Sequence, residues 1–129
     1  MADPARAQPH NVDAQTERVG GLSVVVTATD GIRVLTLSGE IDHHTGDQLR
    51  DALHVTGTAR PRIVIDMRQV TFMDSSGINI LITAYRAVTE ADGWIRLAAS
   101  TDPVLRVLQL VGVDDILECH PTLHEALAP

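Results

Sequence analysis

Two β-branched runs, Leu22–Thr29 and Ile32 to Ser38, meet at Asp30-Gly31, and no other feature restricts the fold of this chain as much. A two-residue link of this kind closes a type I′ hairpin, which needs positive φ at both positions and finds it most readily in Asp-Gly. The folded part of the chain is therefore expected to open on an antiparallel pair. The second run carries Ile32, Val34, Leu35, Leu37 and Ile41 with little polar alternation, so both faces of its strand are expected to be covered.

Beyond the hairpin, helical and extended patterns alternate. Gly39 to Thr45 reads as a loop entering a short helix, with Asp42 and His43 as candidate caps and Leu49, Ala52 and Leu53 as its apolar stripe. Gly57 and Pro61 end that helix, and Arg62 to Asp66 forms a short apolar strand with a charged end. Val70 to Asp74 leads to Ser75-Ser76-Gly77, where a longer helix starts, with Ile78, Leu81, Ile82, Tyr85 and Val88 on one face. Asp92-Gly93 stops it, and Trp94 to Ala98 is the next strand. Asp102-Pro103 opens another helix with a capping carboxylate and a proline at the first helical position. Its inward residues are Val104, Val107, Leu108 and Val111, and Gly112 ends it. Ile116 to Cys119 reads as a last short strand, and Thr122 caps a terminal helix through Leu127.

Strands reached through helices run parallel. The expected class is therefore α/β: a mixed sheet, with an opening antiparallel hairpin plus parallel strands, packed with about four helices. Met1 to Gly21 is polar, Pro-bearing and without periodicity. It reads as a disordered N-terminal tail, 1–21, ahead of one domain at 22–129.

Composition removes several classes of function. The net charge is -7, and the chain has no lysine. Its cationic residues are scattered arginines, so neither nucleic acid nor an anionic membrane is an expected partner. Without lysine there is no P-loop and no phospho-receiver chemistry, and no Gly-x-Ser-x-Gly elbow frames Ser75 or Ser76. No catalytic residue is expected. No stretch approaches the roughly 18 apolar residues of a membrane span. The first ten residues also lack the apolar run of a secretory signal, so a cytoplasmic protein is expected. Cys119, the one cysteine, leaves no internal disulfide or Cys-built zinc site and reads as a core residue. Adjacent His43 and His44 point in different directions on an extended loop with no obvious third ligand, so neither metal nor cofactor is expected.

The segment richest in chemistry is Phe72-Met73-Asp74-Ser75-Ser76-Gly77-Ile78. Two hydroxyls stand where a strand gives way to a helix, beside free N–H groups and a partial positive charge. A phosphate on such a hydroxyl is tolerated there. Equally, Asp74 or Ser75 serves only as the helix cap. Gly77 is expected to let another backbone approach closely.

Gly39-Glu40-Ile41-Asp42-His43-His44-Thr45, then Ile63-Val64-Ile65-Asp66, then Phe72 to Ile78 resemble, in that order, the STAS-domain anti-sigma factor antagonists. The resemblance runs over roughly Leu22 to Leu127 and implies a mixed sheet with helices. It also implies partner switching. The unphosphorylated antagonist binds an anti-sigma factor that is itself a serine kinase holding ATP, and the sigma factor is freed. Phosphorylation of the first serine after the aspartate, here Ser75, abolishes binding, and a serine phosphatase restores it. By the same resemblance Glu40, Asp42, His43, Asp74, Ser75, Ser76, Gly77 and Asn79 are the expected partner-binding residues. Asn79 stands where the family often has glycine. The alternative is a STAS module that is never phosphorylated and acts as a sensor or scaffold for a nucleotide or protein.

Overall fold

The structure is a computed structural model and describes residues 15–19, 21–54 and 59–129. Strands β1 (Gln15–Val19), β2 (Leu22–Thr29), β3 (Ile32–Ile41), β4 (Arg62–Met73), β5 (Trp94–Ala98) and β6 (Glu118–His120) lie side by side in chain order in one sheet. β2 runs antiparallel to both of its neighbours, β1 and β3, and β3 to β6 are parallel. Helices α1 (Gly46–Ala52), α2 (Ser75–Glu90) and α3 (Asp102–Leu110) form the crossovers, and α4 (Leu123–Leu127) closes the chain. A mixed sheet with four helices is the architecture expected from the sequence.

The hairpin turn has Asp30 at φ 51° and Gly31 at φ 80°, the two positive values a type I′ turn demands. Alternation along the central strands then divides the interior in two. Leu35, Leu37, Ile63 and Ile65 face α1, α2 and α3 and join Leu49, Leu81, Val88, Val104 and Leu108 in an aliphatic core. Ile32, Val34, Val64 and Ala98 face the other way, against Ala126 with Leu123 and Leu127 of α4. Both faces of β3 are thus covered along its first half. Each buried Leu or Ile contributes about 1.5–3 kcal/mol.

Four departures from the sequence reading have local causes. Gln15–Val19 falls within the expected tail but pairs with β2 through Gln15↔Val26 to Val19↔Leu22. Backbone pairing at a sheet edge needs no apolar pattern, so no periodicity marks this strand in advance. The rest of that tail, 1–14 and Gly20, lies outside the described residues, as does Gly57, the expected stop of α1. β4 is one strand through Met73 rather than two pieces. Its polar stretch at Arg68-Gln69 is absorbed by a bulge, since Thr36 pairs with Asp66 but Ser38 with Gln69. Asp66, only 1% exposed, holds the bulge by accepting from the Arg68 amide (3.1 Å) and guanidinium (2.9 Å). Finally, α3 is capped by Thr101 without a side-chain bond, not by Asp102, because the Thr101 hydroxyl donates instead to the Val70 carbonyl at 2.7 Å. Its C-terminal end turns outward, leaving Leu110 and Val111 exposed, and Gly112 stops it at φ 78°.

Candidate functional site

The C-terminal ends of β3 and β4 deliver two short segments to the same pole of the sheet, Glu40 to Thr45 and Asp74 to Asn79. Ile41 pairs with Met73, and the Asp74 amide donates to the Ile41 carbonyl at 3.2 Å. Parallel pairing of neighbouring strands forces this meeting, because both strands run toward one end.

Asp74 is the N-cap of α2. Its backbone is extended, and its Oδ1 accepts from the Ser76 amide at 2.8 Å. Ser75 is the first helical residue and is exposed, while Ser76 is half-buried. Among the described residues nothing bonds the Ser75 hydroxyl. The two roles weighed for this segment therefore separate: Asp74 caps, and Ser75 is left free at the positive end of a 16-residue helix. Gly77 is buried, and a Cβ there would meet Met73 Cγ at 2.7 Å and Ile41 Cγ2 at 2.9 Å. What it admits is side chains of the core, not another backbone. Asn79 lies one turn on and is exposed.

The loop after β3 is curled rather than extended. Asp42 does not cap α1, whose N-cap is Thr45. Instead Asp42 Oδ1 accepts from the amides of His44 (2.9 Å) and Thr45 (3.1 Å). The Thr45 hydroxyl, 2% exposed, accepts from the Asp42 amide (2.9 Å) and donates to the Glu40 carbonyl (3.0 Å). The Thr45 amide, with lesser help from the His44 amide, holds the Asp42 carboxyl below its ordinary value against the opposing effect of desolvation. Curling also brings the His43 and His44 rings together, with centroids 4.1 Å apart, where the sequence reading had them diverge. Both are exposed, as is Glu40. Among the described residues, no three of His, Cys, Asp and Glu come together as a metal site.

The structure thus brings the Asp42 loop together with Asp74, Ser75 and Ser76 at one pole, with Glu40 at the strand end that leads into it. Sequence reasoning missed Thr45, whose signal was a threonine placed to bond back across an Asp-led turn. It also missed Phe72, 47% exposed and paired in register with Glu40.

Grooves lie elsewhere. One of about 220 Å³ separates α1 from α2 at Leu53, Ile80, Thr83 and Ala87, and one of about 180 Å³ lies at Ser100, Leu105 and Cys119. Ser75 lines neither. Burial, with a smaller push from Asp114, raises the Cys119 thiol above its ordinary value, so it is a poor nucleophile. Among the described residues no helix is long and apolar enough to cross a membrane.

Comparisons with known proteins agree on one family. A family model described as the STAS domain matches residues 23–126. An anti-sigma F factor antagonist of Paenibacillus polymyxa is 30% identical over 99 residues, covering 75% of this chain and 85% of that protein. The crystal structure of an anti-sigma factor antagonist from Mycobacterium paratuberculosis superposes with a TM-score of 0.74 at 33% identity, covering 82% of this chain and 91% of that one. The Bacillus cell fate determinant SpoIIAA has been solved in both phosphorylation states. Its unphosphorylated form gives a TM-score of 0.63 at 26% identity over 88% of this chain and 92% of that one. Its phosphorylated form gives 0.58 at 25% identity over 88% and 96%.

Proposed function

The chain belongs to the STAS-domain anti-sigma factor antagonist family, and from that premise we propose that it is a binding protein switched at Ser75. The domain proper is 22–129, with β1 added at its edge. Unphosphorylated, it docks on an anti-sigma factor through Glu40, Asp42, His43, Asp74, Ser75, Ser76 and Asn79, with buried Gly77 seating the start of α2 beneath them, and the sigma factor is released. The partner is also a serine kinase and holds ATP; this chain supplies no cofactor and no catalytic group. The Ser75 oxygen attacks the γ-phosphorus of that ATP. The new O–P bond forms as the bond to ADP breaks, and the hydroxyl proton passes to a base of the partner. A serine phosphatase reverses the step.

The observation that carries this reading is the exposure of Ser75 at the first position of α2, beside a cap that takes the Ser76 amide and leaves the Ser75 hydroxyl unengaged. Phosphorylation adds about -1.5 to -2 charges. The helix N-terminus offsets part of that within the chain. At a closed interface the dianion sits beside Asp74, with the Asp42 loop across the Ile41–Asp74 junction. A loss of about 3 kcal/mol there weakens binding more than a hundredfold. Local repulsion is sufficient, and no refolding is required.

The test is to incubate the chain with anti-sigma kinases and ATP and locate phosphate by mass spectrometry. Phosphate on Ser75, with loss of the complex, is expected. Label on Ser76 alone, or equal affinity of the Ser75 phosphoprotein for its partner, contradicts the proposal.

A further inference from the structure

The second face of the sheet is only half covered. α4 lies over Ile32, Val34, Val64 and Ala98. Farther toward the Ser75 pole, the residues of β3 that point the same way are Thr36 and Ser38, both half-buried, and then Glu40, exposed. β4 ends on this side in Phe72. Ile41 and Met73 are buried under α2, so the pleat turns their predecessors, Glu40 and Phe72, to the opposite face.

Phe72 is 47% exposed and is the chain's single phenylalanine. A chain with three aromatic residues in 129 places one of them at a strand end, outside both aliphatic clusters. Its surroundings are acidic. Glu40 is its cross-strand neighbour, and Asp74 follows two residues later; the nearest cation in sequence, Arg68, is already engaged by Asp66. An exposed aromatic ring within a polar rim is the composition of an interface hot spot, and acidic groups left unpaired around it attract a basic partner surface.

Resting on the reading of Ser75 above, we propose that Phe72 is the apolar anchor by which the anti-sigma factor grips this chain, and that the partner offers an apolar recess bordered by arginine or lysine. Docking then straddles the end of β4. Ser75 meets the partner on the α2 side, and Phe72 meets it on the other. The anchor supplies affinity, while the serine supplies the switch.

The experiment measures the affinity of the full chain for the anti-sigma factor that binds and phosphorylates it, with wild type, Phe72→Ala, Phe72→Leu and Glu40→Gln compared by calorimetry and by association rate against salt. Phe72→Ala is expected to weaken binding about 30-fold or more, the scale of an interface hot spot. It should shift the thermal melt far less than a core truncation does, because the ring is half exposed and lies outside both aliphatic clusters. Phe72→Leu should recover most of the loss. Glu40→Gln should slow association and flatten its salt dependence. Binding by Phe72→Ala within threefold of wild type overturns the anchor. An unchanged salt dependence in Glu40→Gln overturns the basic border. A self-associating wild type that becomes monomeric in Phe72→Ala assigns the ring to a second copy of this chain and overturns the proposal as well. Loss of binding on phosphorylation is read separately. If Ser75 phosphate leaves affinity intact while Phe72→Ala abolishes it, the switch fails and the anchor stands.

Discussion

The Asp74 amide donates to the Ile41 carbonyl at 3.2 Å, and this bond ties the cap of α2 to the loop that follows β3. Ile41 is fully buried, and its Cγ2 lies where a side chain on Gly77 would stand. The two segments therefore share one rigid support. A partner resting on Asp42 and Ser75 together meets a surface whose parts do not move independently, which lowers the ordering cost of binding.

Thr45 is the piece of that support with no chemistry of its own. Its hydroxyl is buried and satisfies both the Asp42 amide and the Glu40 carbonyl. Thr45→Val keeps the shape and strands both groups, at a cost of about 1–3 kcal/mol. Urea denaturation should show that loss, with Thr45→Ser restoring most of it. In kinase assays the valine variant should raise the KM for this chain more than it lowers kcat, because the loop is mis-set while the Ser75 oxygen is intact. A variant as stable as wild type contradicts the role given to the hydroxyl.

Much of this arrangement was legible in the residues. Asp30-Gly31 set the hairpin, and strand–helix alternation set the parallel order. The Asp74-Ser75 pair marked a helix start. What escaped were features written in backbone geometry. β1 pairs through main-chain bonds along a polar segment. The β4 bulge turns Arg68-Gln69 from an apparent break into a continuous strand. Asp42 looked like a helix cap because Asp is common in that role, yet an Asx-type turn uses the same oxygen on nearer amides. Phe72 carried no assigned role of its own in the sequence; only the pleat at the strand end shows which way it points.

Asp42 gives the loop a defined response to acid. Its carboxyl is held below the ordinary value near 3.8 by the Thr45 and His44 amides. A depressed carboxylate pKa contributes stability that is complete above the unfolded value and is lost as pH falls through the folded one. The loop should therefore keep its curl down through the ordinary aspartate range and open only below it. Carboxyl-detected NMR should place the Asp42 midpoint below that of an unstructured aspartate. The His44 and Thr45 amide signals should shift with the same midpoint, and amides that do not track it count against this bonding.

Gly77 should tolerate no side chain without cost. A Cβ would sit 2.7 Å from Met73 Cγ and 2.9 Å from Ile41 Cγ2. The unbranched Met73 side chain can yield by changing rotamer, whereas Ile41 is fixed within the core and carries the carbonyl that Asp74 uses. Gly77→Ala should destabilise by about 1–3 kcal/mol, the usual range for overpacking, partly offset by the better helix propensity of alanine. The same variant should weaken partner binding by displacing the start of α2. Thermal melts and titration with the anti-sigma factor together check both effects, and a more stable variant with normal binding rules out the close fit.

Phosphorylation of Ser75 should change the surface and spare the fold. The added charge lies at the first residue of α2, where the helix dipole favours an anion by about 0.3–1 kcal/mol at exposed positions. Asp74, one residue earlier, opposes it with a like charge. The two effects are similar in size, so the melting curve of the phosphoprotein should stay close to that of the unmodified chain. Amide chemical shifts should move from Met73 to Asn79 and in the Asp42 loop joined to it, while those deeper in α2 remain helical and unshifted. A helix refolded between Ile78 and Val88 would make release a conformational event and would remove local repulsion as its cause.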